Sequence, residues 1–388
     1  MRKSRRYRTT LRHWAMLFLF ALVLPAGANL LRNNAALIGG FGELAASFAV
    51  AVNMPGEGLE LLRKRFQEQL RQIPEQTAAQ PAPPPTPALP ALPEPDPEPD
   101  RREESAPPLI AQPKIPEEFR AALVSEDFSG KDSTVLIKYG AGYVNNATRH
   151  SREDVEAILE KKLHLGFEDT REPQVLIIHT HATESFERFD TAVYDTRNTW
   201  RSTDNNNNMV AVGAAMAQAL EESGIGVIHD TTQHDNPSYN SSYQRSAKTV
   251  SEYLERHPSI RVVLDLHRDA MEREDRTIVK PVTVINGKKA AQIMIISGCD
   301  DGTMNMPGWR ENLRLAAAFT GEMERQWPSL TRPVYFAYRK YNQHLSPGAL
   351  LLEFGSNANT LDEALYAATL AGYALADLIW DNTILNLS

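Results

Sequence analysis

Cysteine is nearly absent from this sequence. The single Cys299 excludes a disulfide framework and any zinc cluster built on thiolates. Excess positive charge is missing as well. With 41 Lys and Arg against 49 Asp and Glu, the net charge is -8, which argues against nucleic acid as the main partner. No internal repeat is visible. The 42% of hydrophobic residues is enough to bury a sizeable core, which excludes global disorder. The length of 388 residues alone allows up to two or three domains.

Local absences are sharper than the averages. Residues 1–12 contain no acid but carry Arg2, Lys3, Arg5, Arg6, Arg8 and Arg12. Removing that +6 leaves -14 on the rest of the chain. The next 18 residues, Trp14 to Leu31, contain no charge at all. A helix crossing the hydrocarbon core needs roughly 20 such residues, and the flanking arginines favour a cytoplasmic N-terminus. An uncleaved signal anchor is the favoured reading. The rival is a cleaved signal peptide, because Pro25-Ala26-Gly27-Ala28 resembles a small-residue cleavage site. Either way, the remainder is expected outside the cytoplasm. A second apolar stretch, Ala35–Val52, is interrupted by Glu43 and three glycines, so it reads as an interfacial or packing helix. Glu60–Gln72 places Leu62, Phe66 and Leu70 at helical spacing.

Fifteen of the 25 prolines fall between Pro74 and Pro116. Such a segment favours polyproline II and cannot assemble a core. At about 3.1 Å per residue it reaches at most roughly 130 Å, which suits a spacer. The expected organisation is therefore a basic tail and anchor over 1–31, a juxtamembrane helical region over 32–73, a Pro-rich linker over 74–116, and one folded domain over 117–388.

In that domain, strand-like runs alternate with helical patterns. The candidate strands are Thr134–Tyr139, Gln174–Thr180, Gly226–Asp230, Arg261–His267, Gln292–Ser297, Pro333–Tyr338 and Ala349–Phe354. Several are continuous apolar runs, as buried parallel strands are. Helices are expected over Asn208–Ser223, stopped by Gly224, near Tyr239–His257, stopped by Pro258, and over Leu361–Trp380. This order predicts a three-layer α/β domain with a mostly parallel twisted sheet.

Ligands of open α/β sheets gather at the carboxyl ends of the strands. Three candidate strands end there in polar residues: His179-Thr-His181-Ala-Thr-Glu184, Asp265-Leu-His267-Arg268-Asp269 and Glu353-Phe-Gly355. Any one of them could be a satisfied buried hydrogen bond. Together they supply two histidines and a carboxylate, the donor set of a catalytic zinc site with an open fourth position. Such a site lowers the pKa of bound water to about 7. A second carboxylate must then move the proton, and the chain offers both Glu184 and Glu353. Residues i and i+2 of a continuing strand share a face, but this strand is expected to end near His179. His179 is assigned as the ligand, with His181 left in support or as an alternate ligand. His229 and His234 read as loop polarity or as supports for the ligands, and His344 as a surface or substrate contact.

These residues resemble the stage II sporulation protein P family. The matching stretches are His179–Ser185, Gly224–Thr232, His234-Asp235, Pro237–Tyr243, Asp265–Ala270, Tyr341–Gln343, Leu345–Pro347 and Leu350–Gly355, collinear over roughly residues 174–370. The resemblance implies a zinc-dependent peptidoglycan hydrolase, an N-acetylmuramoyl-L-alanine amidase that also cleaves stem-peptide cross-links. It implies a role in septal wall thinning and engulfment during sporulation, beside stage II sporulation proteins D and M. Carried over by position, His179, Glu184 and His267 hold the metal and Glu353 is the general acid/base, with the two glutamates exchanged as the alternative. The chain departs from the family pattern at Ala182 and Phe186, where Thr and often Tyr are expected, and the presumed ligands are intact. Arg268 is a candidate for a stem-peptide carboxylate, or else a salt bridge to Asp265 or Asp269. Asn342 and Gln343 are candidates to line the cleft, or else to shape a turn. The rival functions are a peptidoglycan-binding module without catalysis and a metallo-carboxypeptidase-like hydrolase.

Overall fold

The computed structural model describes residues 114–130, 133–168 and 172–387. The expected anchor, juxtamembrane helix and nearly all of the linker lie outside the described residues. Among the described residues, no helix is long and apolar enough to cross a membrane.

In chain order the elements are β1 (Arg120–Glu126), β2 (Ile137–Tyr139), β3 (Gly142–Asn146), α1 (Arg152–Leu159), β4 (Val175–Ile178), β5 (Val193–Asp195), α2 (Met209–Glu222), β6 (Val227–His229), α3 (Ser242–Arg256), β7 (Val262–Asp269), β8 (Ile278–Ile285), β9 (Lys288–Ala291), β10 (Ile293–Gly298), α4 (Trp309–Gln326), β11 (Val334–Ala337), β12 (Ala349–Ser356) and α5 (Leu361–Leu387). A main sheet runs in the order β2-β3-β11-β10-β12-β7-β4-β6. β12, β7, β4 and β6 are parallel neighbours, while β10 runs antiparallel to β12, so the architecture is a mixed α/β fold. A second sheet, β5-β1-β8-β9, was not expected from the sequence. Its longest strand, β8, contains Lys280 and Pro281, which disguise it as a break.

Period-two alternation sorts the strand residues onto two faces. Val175 and Ile177 of β4, Val262, Leu264 and Leu266 of β7, and Leu350, Leu352 and Phe354 of β12 join one large core with residues of α1, α2, α4 and α5. Leu176, Ile178, Val263 and Ala349 face the other way and pack with Val250 of α3. β4 is Val-Leu-Ile-Ile because both of its faces are buried. Each such side chain contributes about 1.5–3 kcal/mol of hydrophobic stabilisation.

The helices have readable ends. Asn208 caps α2 by accepting from the Val210 N–H at 2.9 Å, and Gly224 after it takes φ +82°, the left-handed geometry of a helix stop. Trp380 of α5 donates its indole N–H to the Ser223 carbonyl at 3.0 Å, tying the end of α2 to the helix packed along it.

Candidate active site

Strand parity carries Asp265 and His267 of β7, and Glu353 of β12, to the face covered by α3. The ladder pairs Glu353 directly with His267, so these two side chains are neighbours across parallel strands. At this end of the sheet the loop after β4 joins the first turn of α3, whose Tyr243 stacks on the His267 ring with centroids 6.4 Å apart and meets the His181 ring edge to face at 5.5 Å. That loop is pinned by a bridge from Glu184 to Arg201 and another from Ser185 to Asn208, with the Ser185 N–H donating to the Trp200 carbonyl at 3.0 Å.

His181, Glu184 and His267 converge there. His267 Nδ1 is 3.5 Å from Glu184 Oε2, and the His181 and His267 rings stand edge to face with centroids 5.2 Å apart. His267 Nε2 lies 3.0 Å from Asp265 Oδ1, without the alignment of a full hydrogen bond. Asp265 is fixed in turn by the Thr180 N–H at 2.7 Å and the Thr180 hydroxyl at 2.6 Å. A carboxylate behind a histidine is the usual way of orienting a metal-binding imidazole.

The electrostatics follow from burial and neighbours. Burial opposes ionisation of Glu184, but the His267 hydrogen bond and charge, with Arg268, outweigh it and hold the carboxyl at about 2. Burial also opposes a charged His267, yet Asp265 and Glu184 raise it well above the ordinary histidine value. Two carboxylates around one imidazole make a pocket that calls for a cation. His181 goes the other way, lowered to about 4 by burial and then by the His267 charge, so it is a neutral imidazole at pH 7. Burial pushes the Glu353 carboxyl up to about 8, against the His267 charge and with Asp269 and Glu184 adding to the rise.

Among the described residues, no group of three or more His, Cys, Asp or Glu is already gathered as a metal cage. The donor chemistry nevertheless fits zinc. His181 Nδ1 and Glu353 Oε2 are buried without hydrogen-bond partners, and orphaned buried polar atoms are rare unless something binds them. His181 and His267 with the Glu184 carboxylate match the ligand set of open zinc sites.

His179 is elsewhere. Its Nε2 is 2.9 Å from His229 Nε2, and its Nδ1 lies 3.4 Å from the Leu266 carbonyl. Parity explains this: residues 175, 177 and 179 face α2, where Gly213 leaves room for the ring. His181 departs from that parity because β4 ends at Ile178 and the chain turns. Burial, then the His229 charge, lower His179 to about 3. His234 supports the turn from behind, with Nδ1 on the His179 carbonyl and Nε2 on Thr249 Oγ1, each at 2.9 Å.

The expected substrate contacts are also relocated. Arg268 is buried and donates to the carbonyls of Ser185, Trp200 and Asp269 at 3.0, 2.8 and 3.2 Å. It is a strut for the loop and pairs with neither Asp265 nor Asp269, whose carboxylate takes Arg332 at 2.9 Å. Gln343 is buried, accepting from the Gly298 N–H and donating to the Ile296 carbonyl. Asn342 donates to the Tyr243 carbonyl and to Ser246 of α3. Both amides brace the loop before β12. His344 is partly buried, with Nδ1 unpartnered.

Sequence reasoning passed over Tyr239 and Arg201. Tyr239 stacks on His181 at 4.5 Å, and Arg201 reaches Asp235 at 2.6 Å and Glu184 at 3.6 Å. The one available signal was the place of Tyr239 at the start of the helical pattern expected near Tyr239–His257.

The sequence profile of stage II sporulation protein P matches residues 122–379, more than half of the chain. The chain belongs to the stage II sporulation protein P family. Stage II sporulation protein P of Bacillus subtilis strain 168 is 30% identical over 218 residues, covering 53% of this chain and 51% of that protein. The chain thus spans about half the length of this relative. Among solved structures, the CwlD amidase of Clostridioides difficile in complex with the GerS lipoprotein aligns at 13% identity and a TM-score of 0.33, over 55% of this chain and all of that one. N-acetylmuramoyl-L-alanine amidase AmiC2 of Nostoc punctiforme aligns at 12% identity and a TM-score of 0.33, over 54% and 96%. In this family member, the α3-facing cluster gathers His181, Glu184, His267 and Glu353, and His179 belongs to a separate buried pair with His229.

Proposed function

We propose that this family member is a zinc-dependent peptidoglycan hydrolase that cleaves the N-acetylmuramoyl-L-alanine amide bond, acting in septal wall remodelling and engulfment during sporulation. One observation carries the reading: two imidazoles and a carboxylate, His181, His267 and Glu184, meet at the carboxyl ends of the strands with Glu353 on the neighbouring strand. These three would hold the metal, with His181 in the place first given to His179. Bound zinc would polarise the scissile carbonyl and make water a nucleophile near neutral pH.

The protein's own groups do the rest. Asp265 fixes the His267 ring, and Arg268 fixes the loop that carries Glu184 by donating its backbone N–H to Glu184 Oε2 at 3.3 Å and its guanidinium to the Ser185 carbonyl. Glu353, buried beside His267 with Oε2 unpartnered, takes the proton of the attacking water and returns it to the departing amine. Cleavage of stem-peptide cross-links needs the same groups. An N-terminal anchor with a Pro-rich spacer places the domain outside the cytoplasm at the septal membrane, in a complex with stage II sporulation proteins D and M. A fixed polymer suits a tethered enzyme better than the diffusing peptide of a carboxypeptidase.

The test is to incubate the zinc-loaded protein with sacculi, with and without chelator, and identify released fragments by mass. Free stem peptides and bare glycan strands mean amidase, while intact stems freed from cross-links mean endopeptidase only. Zinc bound without any release would make the protein a binding module.

A further inference from the structure

A cleft of about 1020 Å³ opens beside the site, walled by Ser185, Glu187, Arg188, Asn198, Arg201 and Thr360 among others. That volume is at the upper end of small-ligand clefts and admits several amino acids. One end abuts the proposed metal ligands, because Arg201 of the wall is 3.6 Å from Glu184 Oε1.

Its charges are unevenly satisfied. Arg197 is closed off by a two-pronged pair with Asp195 at 2.9 and 2.7 Å. Glu187 accepts from Asn198 at 2.8 Å, and burial raises its carboxyl above the ordinary value. Arg201 is anchored by Asp235 and remains exposed. Arg188 is exposed and forms no hydrogen bond or ion pair among the described residues; its charge is felt only at a distance, by Asp204. The wall also carries the exposed carboxylate of Asp362, and in Arg188 the cleft presents an unanswered guanidinium, the donor best shaped for a substrate carboxylate.

We propose that this cleft holds the acidic stem peptide that follows the scissile amide, with Arg188 pairing a free carboxylate and Arg201 guiding the peptide past Glu184. The assignment rests on the function proposed above and gives to Arg188 the role that the sequence suggested for the buried Arg268. It makes the cleft the leaving-group side of the site and leaves the glycan on the Glu353 side.

Calorimetry on the full chain in detergent micelles, loaded with zinc, tests this with two synthetic stem tetrapeptides, one with free side-chain carboxylates and one with them amidated. Amidation is expected to weaken binding about 5- to 50-fold, as loss of one charge-assisted pair would. Arg188→Gln should weaken the free peptide by a similar factor and leave the amidated peptide unchanged, with Arg188→Lys recovering part of the loss. Equal affinity for both peptides, or equal loss of both in Arg188→Gln, overturns the assignment. Failure of the underlying function looks different. Peptides bound with the expected preference but no stems released from sacculi would remove the hydrolase and keep the cleft. Release with affinities indifferent to Arg188 and amidation would remove the cleft and keep the hydrolase.

Discussion

Two mid-helix glycines should respond in opposite directions to alanine. On helix propensity alone, Gly→Ala gains about 1 kcal/mol at either position. At Gly213 of α2, however, a Cβ would sit 2.5 Å from His179 Nε2 and 2.6 Å from His229 Nε2, nearly an ångström inside normal contact. His179 is fully buried and cannot yield. Overpacking of this kind costs about 1–3 kcal/mol, and parting the two imidazoles leaves a buried nitrogen unsatisfied for about 1–3 kcal/mol more. The net expectation is a loss of about 1–5 kcal/mol, which lowers Tm by roughly 2–20 °C in a domain of this size. At Gly321 of α4 the nearest atom to a Cβ is 3.4 Å away, so Gly321→Ala should be neutral or raise Tm by a few degrees. Thermal unfolding of both variants by circular dichroism measures the pair. An equal or higher Tm for Gly213→Ala would refute the close packing of the His179–His229 pair against α2.

Other expectations concern single groups. Glu353→Gln should retain zinc and lose about 100- to 10,000-fold in stem release, as loss of a general acid/base does; loss of zinc instead would exchange the roles of Glu353 and Glu184. Lys280, buried between Asp190 and Glu363 at 2.8 Å each, should cost about 3–5 kcal/mol when replaced by Ala, because Glu363 is left buried without its partner; denaturant unfolding reads this. Burial, with Asp300 adding, pushes the Cys299 thiol up to about 12, so the native protein should resist a thiol reagent at pH 8 that modifies the unfolded chain at once.

The strands that the sequence revealed are those whose residues are apolar on both faces, β4, β7, β10 and β12 above all. Their periodicity is that of burial itself. β1, β3 and β5 are short or half-exposed, and β8 hides a buried lysine whose partners lie 90 and 83 residues away in the chain, contacts that no local pattern records. Within the site, His267 and Glu353 were legible because both sit inside regular strands, where parity fixes the face. His179 and His181 were not separable, since the answer depends on where β4 stops. Had β4 continued through His181, both rings would have faced α2. The helical pattern around Tyr243 was legible, but the placement of Tyr239 over His181 depends on a loop conformation.

Zinc stoichiometry decides the account most directly. The full chain and its His181→Ala, His267→Ala and His179→Ala variants would be purified with zinc, desalted, and assayed for metal per chain together with Tm. The expected result is one zinc in the parent protein, loss of that zinc in His181→Ala and His267→Ala, and retained zinc with a lowered Tm in His179→Ala. Zinc kept by His181→Ala and lost by His179→Ala would contradict the site described here.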